Sequence, residues 1–79
     1  HTLNLSDNLL IKLPESIGNL INLENLFLSF NDLKTLPKNI INLKNLKWLS
    51  LMDNKMLKID DEILYWLEHL NYKGCKILM

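Results

Sequence analysis

Leucines recur along the chain in a fixed rhythm. Leu3 and Leu5, Leu26 and Leu28, and Leu49 and Leu51 each bracket one non-leucine residue, and successive pairs stand 23 residues apart. Period-two alternation over so short a run predicts a strand with one buried face. The same step connects Asn8, Asn31 and Asn54; Leu10, Leu33 and Met56; Leu13, Leu36 and Ile59; and Ile17, Ile40 and Ile63. Pro14 and Pro37 share a column whose third member is Asp60. A proline suits the first position of a short helical turn, where its missing N–H would go unpaired anyway. Ile17 with Leu20, and Ile40 with Leu43, are three residues apart, so one side of each turn is expected to face inward. A lone unit cannot bury this much leucine. Stacked units can, with strands in parallel on one side and helical arms on the other.

The last turn breaks the period. Counting 23 from Leu49 lands on Tyr72, whereas Leu67, Leu70, Tyr72, Cys75 and Ile77 match Leu46, Leu49, Leu51, Asn54 and Met56 two residues earlier. That register predicts strand units near 2–8, 25–31, 48–54 and 69–75 in a single domain over 1–79. It also puts Cys75 in the asparagine column. Asp60 is expected to cap a longer helix through "EILYWLEHL", with Asp61 and Glu62 in its first turn. Residues 57–79 would then form a closing unit, with Tyr65 and Trp66 over the core. No equivalent cap is visible at His1: either further residues precede it or the first turn is exposed, in which case the N-terminal end is expected to allow self-association.

Each unit reads Leu-x-x-Leu-x-Leu-x-x-Asn-x-Leu, followed by Leu-Pro-x-x-Ile-x-x-Leu. This pattern resembles the leucine-rich repeat, and "LPESIGNL" and "LPKNIINL" look like its 23-residue intracellular subclass. That subclass is found in Ras-pathway scaffold proteins, plant Ras-group-related proteins and bacterial repeat proteins. The resemblance implies an α/β fold: a right-handed solenoid of about 3.5 repeats with a concave sheet of four short parallel strands. Short helices or 3-10 turns would form its convex side. It also implies a cytoplasmic setting and a structural ladder of Asn8, Asn31, Asn54 and Cys75. A buried carboxamide in that column can satisfy backbone groups that lose their sheet partners at the bend, where each unpaired group costs about 1–3 kcal/mol.

Composition narrows the function. Twenty Leu and eleven Asn in 79 residues reflect the repeat, and nine Lys balance nine Asp plus Glu. With no Arg and no net charge, the chain lacks the clustered cations of a nucleic-acid surface. No apolar run approaches the length of a membrane span. A single cysteine excludes an internal disulfide framework. Catalysis would need a constellation that is missing: His69 has no Ser–His–Asp context, and His69 with Cys75 makes too few ligands for zinc. Asp60, Asp61 and Glu62 read as a helix start rather than a metal cluster. No enzyme activity, cofactor or metal is expected.

Recognition fits better. The residues between inward leucines would line the concave sheet in columns: Thr2, Asn25, Trp48 and His69; Asn4, Phe27, Ser50 and Asn71; Ser6, Ser29, Met52 and Lys73; and then Asp7, Phe30, Asp53 and Gly74. Large apolar side chains on a wetted face mark an interface, and hot spots favour Trp and other aromatics. Phe27, Phe30, Trp48, Ser50, Met52 and His69 are therefore the candidate residues for a protein partner. The sheet offers roughly 250 Å² of projected area, against about 800 Å² per partner in a standard interface. A weak partner, added flanking surface or a longer array follows from that deficit. The alternative is a regulatory or sensor segment of a larger signalling or immune protein whose catalytic part lies outside this chain.

Overall fold

The computed structural model describes residues 1–79. Four three-residue strands, β1 (Thr2–Asn4), β2 (Asn25–Phe27), β3 (Trp48–Ser50) and β4 (Lys76–Leu78), form one sheet in the order β1-β2-β3-β4. All three pairings are parallel, with Leu3 opposite Leu26, Leu26 opposite Leu49, and Leu49 opposite Ile77. Parallel neighbours need a crossover, and each crossover here runs through a convex arm. Backbone pairing continues past the regular strands: Leu28 donates to the Ser50 carbonyl and Phe30 to that of Met52, at 2.8 and 2.9 Å. This is the α/β repeat solenoid that the leucine columns predict.

The first two arms are 3-10 helices, Glu15–Asn19 and Lys38–Asn42. Each proline is the cap just ahead of its turn rather than the first helical residue, with extended backbone at Pro14 (φ −68°, ψ 149°) and Pro37 (φ −67°, ψ 146°). Gly18 is buried where the two arms meet, and a Cβ there would overlap the carbonyl oxygen of Asn39. Glycine is required by that close approach.

The third arm is an α-helix, α1 (Asp61–Tyr72), and here the sequence reading needs correction. Its start is as predicted: the Asp60 carboxylate accepts the Ile63 N–H at 2.9 Å. Its end lies further on, so residues 69–75 are not a strand. The helix runs through Tyr72, Gly74 turns the chain at φ +99°, and Cys75 N–H returns to the Leu70 carbonyl at 2.9 Å. An αL glycine past the last helical residue is a common helix stop. The fourth strand therefore falls at Lys76–Leu78, with Ile77 rather than Leu70 opposite Leu49. Twelve helical residues take the place of five in the 3-10 arms, and the longer arm displaces the strand.

One cluster of buried side chains fills the space between sheet and arms, with Leu26, Leu28, Leu33, Ile40, Leu43 and Leu49 wholly inaccessible. Trp66 closes it against the second arm, its indole N–H donating to the Leu43 carbonyl at 3.0 Å. Tyr65, expected beside it, is 73% exposed on the outer face of α1. Leu20 departs from its column too: it is 44% exposed, while Leu43 at the equivalent position is fully covered. The first arm has a neighbour on one side only.

Candidate functional site

The asparagine column fixes the turn that ends each strand. The Asn31 carboxamide donates to the carbonyls of Leu5, Leu28 and Ser29 and accepts the N–H of Leu10 at 3.1 Å. Asn54 repeats this one unit on, donating to Leu28, Leu51 and Met52 and accepting from Leu33 at 3.1 Å. Both are buried, and each stitches its own turn to the preceding one. Asn8 is exposed and bonds only within its own turn, to the Leu5 and Ser6 carbonyls. Cys75 is not in this column. It lies just before β4, buried, with its thiol 3.7 Å from the Lys76 carbonyl, and burial raises its pKa.

Just ahead of the asparagines, Asp7, Phe30 and Asp53 hold left-handed backbone, with φ of 61°, 60° and 58°. Aspartate tolerates this conformation; phenylalanine does so at a cost of about 1–3 kcal/mol. Phe30 thus stands out on two grounds, since it is also 54% exposed.

On the concave sheet, Phe27 and Trp48 come from adjacent strands and form a tilted ring pair, with centroids 6.5 Å apart and planes at 59°. Tilted aromatic pairs at this separation are mutually stabilising. Trp48 keeps 38% of its surface accessible and Met52 keeps 41%, while Phe27 is half-buried. The Lys76 ammonium lies 5.1 Å from the Trp48 ring centroid, a cation–π contact.

Two candidates do not belong with them. Ser50 is buried and bonds its hydroxyl to that of Ser29. Flanked in register by Phe27 and Leu78, and along the chain by Trp48 and Met52, so small a side chain is overshadowed. His69 is exposed in the last turn of α1 and not on the sheet. Asn71 likewise lies in the helix, and Lys73 caps its end. Lys76 and Leu78 occupy the fourth strand instead. Lys76 is the site residue that sequence reasoning missed, and Gly74 was the signal that would have found it.

No group of three or more His, Cys, Asp or Glu is placed to hold a metal ion, and no helix is long and apolar enough to cross a membrane. The loop cleft of about 390 Å³ past the strand ends is lined by Ile11, Asn31, Asp32, Lys34, Asp53, Lys55 and Met56, a charged and open setting. The family model described as Leucine Rich Repeat matches residues 1–20 and 22–43, together more than half of the chain. No curated protein matches the chain.

Proposed function

Since the chain belongs to the leucine-rich repeat family, whose repeats generally mediate protein–protein interaction, we propose that it is a non-catalytic module gripping a protein partner on its concave face. The observation that carries this reading is the Phe27–Trp48 ring pair, left accessible on the open side of the sheet with Phe30 and Met52 beside it. These side chains offer a partner aromatic and thioether surface to desolvate. Phe30 supports the same reading, because its backbone conformation is one that a merely structural choice would give to Gly, Asn or Asp. The small area of the face points to a weak or transient complex, or to one that adds flanking surface.

A pull-down from cells, comparing the unmodified chain with Trp48→Ala and with Tyr65→Ala, tests it. Trp48→Ala should leave the melting temperature within a few degrees and weaken capture of the partner by about 2 kcal/mol or more, as hot-spot truncations do. Tyr65→Ala, on the convex helix, should leave capture unchanged. Undiminished capture by Trp48→Ala would remove the concave face from consideration.

Self-association through the N-terminal end is a second reading. Leu9, Leu20 and Ile21 are exposed there, and β1 is an edge strand with Leu3 and Leu5 only half-buried. Sedimentation that depends on protein concentration, abolished by Ile21→Lys, would favour it.

A further inference from the structure

Resting on the concave-face reading, we infer that the partner is an extended segment with a fixed order of chemistry: an acidic side chain, then an aliphatic or aromatic anchor, then a basic side chain. The face changes character along the strands. Where the strands begin, Lys76 is the backbone neighbour of Lys47, donating to its carbonyl at 2.9 Å, and the Lys73 ammonium reaches the Lys44 carbonyl at 3.1 Å. Lys47 and Lys76 thus share the edge beside Trp48, with Lys44 and Lys73 further back in the loops that lead into β3 and β4. The one ion pair of the molecule, Lys47 with Glu24 at 3.3 Å, answers a single member of this group. Lys76 has no carboxylate partner and is held over the Trp48 ring instead. A carboxylate arriving at that edge meets an ammonium already in position, with the indole beneath it.

At the opposite edge carboxylates flank the apolar face. Asp7 and Asp53 share the column of Phe30, one unit to each side, both exposed and neither in an ion pair. Lys34 and Lys55 line the loop cleft with Asp53 but do not bridge it. Between the two edges lie Phe27, Trp48 and Met52. Five residue steps separate Trp48 from Asp53, at most about 16 Å, because β3 ends at Ser50 and the backbone turns at Met52 and Asp53. An extended segment carrying its acid and its base no more than about five residues apart covers that distance. The chain has no net charge, so no overall field draws a partner in. Local charge order then sets orientation and encounter rate where contact area is small.

The probe is a library of random twelve-residue peptides displayed on phage and selected on the folded chain. Enriched peptides should share the acid–anchor–base order, with acid and base no more than about five residues apart. On the Lys47→Glu, Lys76→Glu double variant, those peptides should bind about tenfold more weakly or worse, and fresh selection should place a basic residue where the acid stood. The Asp7→Lys, Asp53→Lys variant should reverse the other end. Thermal melts establish that each variant is folded, and Lys76→Gln with Asp53→Asn replaces any reversal that is not. Peptides without charge order, peptides indifferent to the reversals, or no enrichment at all overturn the proposal. Indifferent peptides that still lose binding to Trp48→Ala leave the concave-face reading standing and defeat the charge order alone. Peptides that bind Trp48→Ala normally defeat the concave-face reading itself.

Discussion

Asn31 makes four hydrogen bonds with one buried carboxamide, whereas the exposed Asn45 makes one, to the Ile21 carbonyl at 2.8 Å. Water can take over at Asn45 but not inside the turn. Asn31→Leu should therefore cost about 1–3 kcal/mol for each backbone group it strands, and Asn45→Leu less than about 0.5 kcal/mol. Urea denaturation of the two variants measures the difference, and equal losses would mean that the carboxamide column does not hold the turns. Cys75 gives a second residue-scale outcome. Burial raises its pKa in the folded state, so the folded chain holds the thiol proton more tightly than the unfolded chain does. The stability this contributes is complete below the ordinary thiol range near about 8.5 and is lost as pH rises from there through the raised folded value. Denaturation midpoints between pH 7 and 10 should fall more steeply for the unmodified chain than for Cys75→Ala. The same residues show what single positions disclose. Asn31 and Asn54 were readable because three aligned units repeat them. The burial of Ser50 was not, because it depends on the size of its neighbours across the sheet.

At the scale of elements, β1, β2 and β3 with their two 3-10 arms were legible because the 23-residue step constrains several columns at once. Shifting any one strand would break all the others. The fourth unit had no such check. Leu70 and Tyr72 alternate as strand residues do, yet they belong to α1, whose length is set by packing rather than period. Trp66 reaches back to the Leu43 carbonyl, so the helix follows the preceding arm for its full twelve residues before Gly74 releases the chain. The candidate site divides at this break. Phe27, Phe30, Trp48 and Met52 lie on units in register, so their neighbours follow from the 23-residue step. His69 was misplaced and Lys76 overlooked because both lie after the break.

For the molecule as a whole, units stacked in a row protect one another unequally. An interior position is covered by both neighbours, an end position by one. Leu43 and Leu20 are the same leucine in consecutive arms, so Leu43→Ala should cost about 2–5 kcal/mol and Leu20→Ala less than about 1 kcal/mol. Chemical denaturation decides it, and similar losses at both sites would mean that the stack does not govern stability. Apolar surface also remains at the ends, with Leu9 and Ile21 at one and Met79 at the other, besides that on the concave sheet and the outer face of α1. The two tryptophans divide along a different line, one on the sheet under an ammonium group and one sealed behind the second arm with its N–H bonded. Indole emission depends on the polarity around the ring. The spectrum of the native chain should thus be a sum of two signals: a longer-wavelength one from the partly accessible Trp48, quenched by iodide that Lys76 attracts, and a shorter-wavelength, protected one from Trp66. Occupancy of the sheet changes the first signal alone, and loss of the fold changes both. A single cuvette of unlabelled protein therefore distinguishes a ligand that binds from one that denatures.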